Sequence, residues 1–138
     1  MEASLLDSLF GHNHWATRVI LRHCRLLSRE QFHQRFEIGP GSLHDTLMHI
    51  IGAMRRWADR IGERPLRPRL EERGTPYSPD ELLALLEEAH AELFEVVRAV
   101  AASGRLTEIM EFQRPDGPPY RFTRATAIVH VATHGMHH

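Results

Sequence analysis

The stretch GSLHDTLMHIIGAMRRWADRIG, residues 41–62, predicts a long amphipathic helix. Ser42 stands at the expected N-cap and Asp45 follows three residues later, a spacing typical of a capping box. Apolar residues then recur every three or four positions and share one helical face: Leu43, Leu47, Ile50, Met54, Trp57 and Ile61. Gly62 and Pro65 end the pattern. Such a helix buries its apolar face against other elements, so the flanking segments decide the architecture.

Two more helices of similar length lie on either side of this one. The first is predicted over residues 4–27. Its apolar stripe is formed by Leu5, Leu6, Leu9, Ala16, Ile20 and Leu27. The other follows a charged, proline-rich linker and opens with Ser78 as N-cap, Pro79 in the first turn and Glu81 to complete a capping box. Gly104 ends this helix. Its stripe is formed by Leu82, Leu86, Ala89, Leu93, Val97 and Val100.

The last part of the chain predicts a hairpin and a fourth helix. IMEFQRPDGPPYRF, residues 109–122, contains two β-prone pieces around a Pro/Gly turn, which is typical of a small hairpin. The last helix starts at Thr123 and runs to the end of the sequence. Four amphipathic helices predict an all-α four-helix bundle, with residues 1–138 as one domain. The last helix of a bundle should be longer, so we expect the native chain to continue beyond His138 or to have lost its end.

The composition argues against several classes of protein. A chain of 138 residues with 42% apolar and 25% charged residues is an ordinary globular domain. The formal net charge of −1 provides no field that would attract nucleic acid or an anionic membrane. All 17 cationic side chains are arginine, which excludes a lysine nucleophile, and the single cysteine excludes an intrachain disulfide. No apolar run approaches the ~20 residues of a membrane span and no signal peptide is recognisable, so we expect a cytoplasmic protein.

Histidine is the unusual residue, with 11 copies, several of them in the terminal stretch IVHVATHGMHH, residues 128–138. His130, His134 and His138 follow one another at four-residue spacing and share a helical face, whereas His137 lies on its flank. Two histidines four residues apart can direct both imidazoles at one metal ion. A solvated helix face would explain the same pattern. A purification tag would explain only His137 and His138, and a tag is normally a longer uninterrupted run.

A metal site needs a further ligand from another helix, because zinc-type ions take three or four protein ligands. His49 is the best candidate, since it lies mid-helix at the edge of the apolar stripe, where a groove open to substrate would form. Taken alone, such a histidine is more often a surface or core residue than a ligand. Asn13 lies on the apolar stripe of the first helix, where an amide must be hydrogen-bonded. It would either tie helices together or support a metal ligand.

Three segments, taken in order, resemble the DinB/YfiT-like superfamily of four-helix metalloproteins. They are LLDSLFGHNHWATRVIL in the first helix with Asn13, GSLHDTLMHIIGAMRRW in the second with His49, and HVATHGMHH at the end. The resemblance extends over essentially the whole chain. The sequence departs from the family pattern in the second helix. There Met54, Arg55 and Arg56 occupy the region in which an acidic residue often follows the ligand histidine.

The resemblance implies a bundle in up-down-down-up order, with the long second-to-third linker as the crossover, and it implies a homodimer. It also implies that His49, His134 and His138 hold a divalent ion such as zinc or nickel, which leaves His130 one turn away from the ligands. Characterised relatives are thiol-dependent transferases or isomerases, others resemble metal-dependent hydrolases, and many have no known activity. The family name refers to DNA damage, yet we find no DNA-binding pattern in this sequence.

From these residues and the resemblance we predict a metal-dependent enzyme of the low-molecular-weight-thiol S-transferase type, acting on a small-molecule substrate. An ion held by three imidazoles would keep one position for water or for a thiol, whose pKa it lowers. His130 could serve as a proton relay, and Arg55, Arg56 or the linker arginines could attract an anionic substrate. Hydrolysis at the same site is one alternative. A non-catalytic metal-binding or stress-response protein with a closed ligand shell is another, and a metal-free scaffold is a third.

Overall fold

The computed structural model describes residues 3–138, with side chains from Leu5 onward. Within that part of the chain, the helices are α1 (Ala3–Cys24), α2 (Arg29–His33), α3 (Leu43–Ile61), α4 (Pro79–Ala102) and α5 (Arg124–His137). A 3-10 turn spans Leu70–Arg73, and the strands β1 (Ile109–Phe112) and β2 (Tyr120–Thr123) precede α5. The predicted all-α architecture with a small hairpin is confirmed. None of the described helices is long and apolar enough to cross a lipid bilayer.

The segment after α1 differs from the prediction, because α1 ends at Cys24 rather than Leu27 and the short helix α2 was not predicted. Ser28 starts α2 through a capping box. Its hydroxyl accepts a hydrogen bond from the Gln31 backbone N–H at 3.1 Å, and its own N–H donates to Gln31 Oε1 at 2.9 Å. Phe32 is buried in the core and anchors the turn. Because Ser28 caps a new helix at this point, the segment after Cys24 forms α2 and does not extend α1.

α1 and α4 pack side by side in opposite directions. Phe10 lies against Phe94, with ring centroids 6.1 Å apart. Directly after the end of α1, Arg25 Nε lies 2.9 Å from Asp80 Oδ1 at the start of α4. Residue numbers therefore rise along one helix as they fall along the other, which makes the pair antiparallel.

α3 and α4 run in the same direction. His44 at the start of α3 accepts a 3.0 Å hydrogen bond from the backbone N–H of Tyr77, just before α4. At the other end, a Cβ placed on Gly62 would lie 3.4 Å from Val96 Cγ2 of α4. Two consecutive parallel helices need a connection that crosses the length of the bundle, and the linker between Gly62 and Ser78 provides it.

α5 runs antiparallel to α3 and completes the bundle. His49 contacts His134, whereas Arg124 at the start of α5 donates to the carbonyl oxygen of Ile61 at the end of α3. Together with the two pairs above, this establishes the up-down-down-up order that the family resemblance implied.

The crossover linker is tied to the bundle by a buried carboxylate. Asp59 is only 2% exposed, and its Oδ2 accepts hydrogen bonds from the backbone N–H and from Nε of Arg67, both at 3.1 Å. Arg67 also pairs with Glu92 of α4 at 2.6 Å. A buried carboxylate is stable only when it is paired, so Asp59 and Arg67 hold each other in place.

The core confirms the predicted stripe of α4, all six residues of which are buried. The predicted stripe of α1 is wrong in part, because the buried residues of this helix are Leu6, Phe10, Asn13, Thr17, Leu21 and Cys24. Leu5 and Ile20 are 50% and 47% exposed. α1 carries two adjacent apolar arcs, and only one of them faces the other helices.

The hairpin presents an aromatic face to α3. Met110 pairs with Phe122 and Phe112 with Tyr120, and side-chain alternation places these four residues on one side of the hairpin. The Trp57 ring of α3 lies against this side, with centroids 5.8 Å from Phe112 and 6.1 Å from Phe122. We call Met110, Phe112, Tyr120 and Phe122 the hairpin face.

Candidate metal centre

Three histidines from two helices meet at one end of the bundle. His49 lies on α3, His134 lies on α5, and His138 is the C-cap of α5. The Nε2 atoms of His49 and His134 are 3.1 Å apart. One ligand nitrogen from each of the three residues lies within 4.8 Å of the other two. The side chain of the mid-helix His49 therefore lies beside two of the terminal histidines.

Helical periodicity brings the two terminal histidines to the same side of α5. Four residues make slightly more than one turn, so His134 and His138 lie one above the other. The backbone N–H of His138 still donates to the carbonyl oxygen of His134 at 3.3 Å, which keeps the last residue in helical register. His49 and His134 are half-buried and His138 is exposed, so the cluster reaches from the bundle interior to the surface.

This arrangement fits a divalent ion. A tetrahedral ion with metal–nitrogen bonds of about 2.0–2.1 Å separates its ligand nitrogens by roughly 3.3 Å. The 3.1 Å between the Nε2 atoms of His49 and His134 is already close to that value. His138 is the exposed member of the group and its ring has the most room to adjust. Imidazole nitrogens are ligands suited to zinc, copper, nickel and iron.

The clustered rings favour one another's neutral form. Burial, followed by the charges of the neighbouring histidines, lowers the pKa of His134 to about 4. Burial, together with His49 and His137, lowers the pKa of His138. His134 is therefore neutral at pH 7. Metal binding requires this form, because the lone pair of the ligand nitrogen must be free.

Comparison with known families identifies the chain. The model of the DinB family matches residues 1–138, the whole sequence. The chain belongs to the DinB family. No curated protein matches it. Family membership and the three-histidine cluster together fit a metal-binding DinB-like protein.

The other two terminal histidines of this DinB-family protein lie outside the cluster. His130 is exposed, with its ring centroid 5.2 Å from Trp57 and 5.8 Å from His134. His137 is exposed and its ring lies 5.1 Å from that of His138. Among the histidine, cysteine and acidic residues in the described range, His49, His134 and His138 form the one group with convergent ligand atoms. Two four-residue steps separate His130 from His138 by about 80° around the helix, and His49 lies on the side of His138, with ring centroids 4.7 Å apart.

Asn13 ties α1 to both helices of the candidate metal centre. It is 3% exposed, and its Nδ2 donates to the sulfur of Met54 on α3 at 3.8 Å. A methyl group at Gly135 of α5 would collide with Asn13 Oδ1. Because Gly135 directly follows His134, the amide contacts the α5 backbone beside a candidate ligand. The hydrogen bond goes to Met54 rather than to a histidine, so direct support of a ligand by Asn13 stays a prediction.

A cleft of about 190 Å³ opens beside the histidines, and His49 and His134 line its wall. Arg56 and the linker residue Arg69 line it as well, together with Arg60, which the sequence analysis did not single out. Arg60 follows Arg56 by four residues on α3, and this spacing is the signal that could have found it. Gly135 was also missed. A glycine within a helical pattern, between candidate ligands, was the available clue.

We expect Gly135→Ala to lower the free energy of unfolding by about 1–3 kcal/mol, because the added methyl group overlaps Asn13 Oδ1. Gly11→Ala is the matched control, since it also lies within a helix and its Cβ would have no neighbour within 4 Å. The control should raise stability by about 0.5–1 kcal/mol, as alanine does in helices. Urea denaturation measures both changes. Adding Asn13→Ala to Gly135→Ala should recover part of the loss, and no recovery would show that another contact limits this position.

Proposed function

We propose that this protein is a metal-dependent enzyme of the low-molecular-weight-thiol S-transferase type, in which His49, His134 and His138 hold a divalent ion. The observation that carries the proposal is the convergence of three imidazoles, two of which, those of His49 and His134, line an open cleft. Zinc or nickel is the ion we expect, since both accept neutral imidazole ligands. The chemistry that such an ion supplies when bound is Lewis acidity, which lowers the pKa of a thiol or of water.

Three ligands beside a cleft favour a catalytic centre over a structural one. Catalytic zinc sites keep a position for water or substrate, whereas structural sites are usually closed by four protein ligands. Within the described residues, no fourth histidine, cysteine or carboxylate joins the group. A closed shell would need His130, His137 or a neighbouring carboxylate to join it. A non-catalytic metal-binding or stress-response protein is therefore the alternative that a fourth ligand would support.

The side chains around the cleft favour a thiol over water as the nucleophile. One turn after His49, α3 carries Gly52 and Ala53, neither of which can act as a base. Glu71, an exposed residue of the linker, is the carboxylate among the residues lining the cleft. A free thiol ionises near pH ~8.5 and water near pH ~15.7, so the thiol needs less help from a base. Metal-dependent hydrolysis is the second candidate.

The residues of the chain would bind a small substrate and move its proton. The cleft has room for a small molecule, and its arginines would attract an anionic thiol or electrophile. His130 would act as proton relay, because its ring is exposed to solvent and its centroid lies 5.8 Å from that of His134. Asn13 would keep α5, and with it His134, in position through Gly135.

We expect neither nucleic acid nor a membrane as a partner. We expect the protein to be located in the cytoplasm.

We also propose that the protein is a homodimer. The arc of α1 that does not face the core is apolar, and Ile20 in this arc is 47% exposed. Ala16 and Ile20 line a groove of about 440 Å³ together with Leu43 of α3 and Met136 of α5. Exposed apolar side chains from three helices form one continuous surface, which is typical of a protein–protein interface. A second copy of the chain is the occupant we propose.

Protein purified without a His tag should contain a divalent metal in near-equimolar amount, measurable by elemental analysis. We expect His49→Ala to lower metal affinity at least about tenfold, because the two remaining imidazoles make an incomplete site. His137→Ala is the matched control, being an exposed histidine outside the group. Wild-type metal content in His49→Ala would contradict the ligand set. Metal loss in His137→Ala would instead favour the closed shell.

The metal-loaded protein should transfer a generic electrophile to one member of a panel of low-molecular-weight thiols. His130→Ala should keep its metal and lower kcat about a hundredfold, the usual effect of losing a general acid or base. His23→Ala, an exposed histidine on α1, should leave kcat unchanged. Ester hydrolysis without added thiol would favour the hydrolase. A metal-loaded protein inactive in both assays would favour the non-catalytic alternative.

Sedimentation should show a wild-type dimer and a monomeric Ile20→Asp variant, because a charge cannot be buried unpaired in an apolar interface. Leu26→Asp is the control, since Leu26 is 84% exposed and does not line the groove. This variant should remain dimeric. A monomeric wild-type protein, or a dimeric Ile20→Asp variant, would refute the proposed interface.

A further inference from the structure

Trp57 and Arg60 of α3 form a common wall between two cavities. On one side lies the cleft of about 190 Å³ that His49 and His134 line. On the other side lies a cavity of about 400 Å³ between α3, α5 and the hairpin. Since the same two side chains line both, the two cavities adjoin at Trp57 and Arg60.

Among the residues whose side chains the structure describes, none forms an ion pair with Arg60. Its Nε is buried and has no hydrogen-bond partner. The guanidinium carbon lies 5.2 Å from the Trp57 ring centroid and 5.0 Å from that of Phe112, so aromatic rings flank it. Burial, followed by the charges of Arg56 and Arg69, lowers the pKa of Arg60. Arg56 and Arg69 are therefore cationic neighbours of Arg60.

Two other arginines that are partly or fully withdrawn from solvent do have carboxylate partners. Arg67 pairs with Asp59 and Glu92, and Arg124 pairs with Glu63 at 2.7 Å. Within the described part of the chain, no carboxylate forms an ion pair with Arg60. An unpaired charge that has lost part of its hydration is costly, and an oxyanion from a ligand would offset that cost through charge-assisted hydrogen bonds.

The second cavity has a different chemistry, because its wall is aromatic. Phe112 and Phe122 of the hairpin face lie 5.4 Å apart, and both contact Trp57. Tyr120 on the same face is 55% exposed, and the guanidinium of Arg114 lies 4.7 Å above its ring. Flat aromatic side chains bind planar apolar groups by stacking and edge contacts.

We propose that the two cavities together bind a small molecule that carries an oxyanion group and a planar aromatic ring. The oxyanion binds Arg60, with Arg56 and Arg69 adding positive charge, and the ring lies against the hairpin face. The oxyanion end is then the end beside the three histidines. The inference rests on the proposed function in one respect: this molecule is the substrate only if the three histidines form a metal centre.

Two matched probes test the pocket without any catalytic assay: naphthalene-2-carboxylate and its neutral analogue naphthalene-2-carboxamide. Isothermal titration calorimetry is carried out on the full chain after treatment with a chelator, so that no metal binds the carboxylate. We expect the carboxylate to bind about tenfold to a hundredfold more tightly than the amide, the range of a hydrogen bond to a charged group. Equal affinities, or no binding of the carboxylate, would overturn the proposal.

Arg60→Gln should abolish the preference for the carboxylate. Arg98→Gln is the matched control, because its guanidinium also lies over an aromatic ring, that of Phe94 at 5.5 Å, but lines neither cavity. The control should keep both affinities within twofold. Tyr120→Ala should weaken both probes about equally, since it removes ring contact and leaves the charge. A carboxylate preference that survives in a folded Arg60→Gln variant would overturn the assignment.

If circular dichroism shows that Arg60→Gln does not fold, a second variant tests the same cationic pocket. Arg69→Gln, in the exposed linker, should reduce the carboxylate preference at least about threefold, and an unchanged preference would count against the cationic pocket. Metal analysis separates this inference from the proposed function. Protein that prefers the carboxylate but holds no metal would refute the metal enzyme and leave the pocket standing. Metal-loaded protein that binds neither probe would refute the pocket and leave the metal enzyme standing.

Discussion

The position of α5 on α3 depends on the buried side chain of Arg124. This residue is 3% exposed, and its guanidinium donates to the carbonyl oxygen of Ile61 at 2.6 Å and to Glu63 at 2.7 Å. The last carbonyls of a helix lack helical partners and carry partial negative charge, so a cation is favourable there. The start of α5 is thereby joined to the end of α3. About three turns further along, the same register places His134 opposite His49.

A second contact fixes the opposite end of α5. Asn13 lies between the Met54 sulfur and the backbone at Gly135, where no larger residue would fit. α5 is thus held by an ion pair at its start and by close packing next to its histidines. The ligand nitrogens of the three imidazoles lie within 4.8 Å of one another. This crowding disfavours protonation and removes hydration, so the rings would separate without such support. The two attachments hold the candidate ligands together.

One face of α3 supplies most of the wall of the cleft. His49 is followed by the small residues Gly52 and Ala53, which leave room for the cleft, and then by Arg56 and Arg60 on the next turns. The cleft therefore combines imidazole nitrogens with three arginines, Arg56, Arg60 and Arg69, and one carboxylate, Glu71. This excess of positive charge suits anionic ligands.

The buried face of a helix was predicted correctly where its apolar residues form one set, and incorrectly where they form two. α4 has one apolar set between polar faces, and all of its predicted core residues are buried. α1 has two adjacent apolar arcs, and the prediction centred on the arc that includes the exposed Leu5 and Ile20. α2 was missed because five residues carry no periodic signal, although its Ser28–Gln31 capping box is visible in the sequence.

The sequence by itself determined the four long helices, the hairpin and the four-residue spacing of the terminal histidines, because these depend on local periodicity and capping. It also placed His49 at the edge of an apolar face, which made this residue a candidate ligand. Only the tertiary structure decided which arc of α1 is buried, that His138 rather than His130 lies with His49 and His134, and that Arg60 faces aromatic rings without a carboxylate. These outcomes depend on contacts between segments far apart in the chain, and no local pattern specifies which side chains will meet.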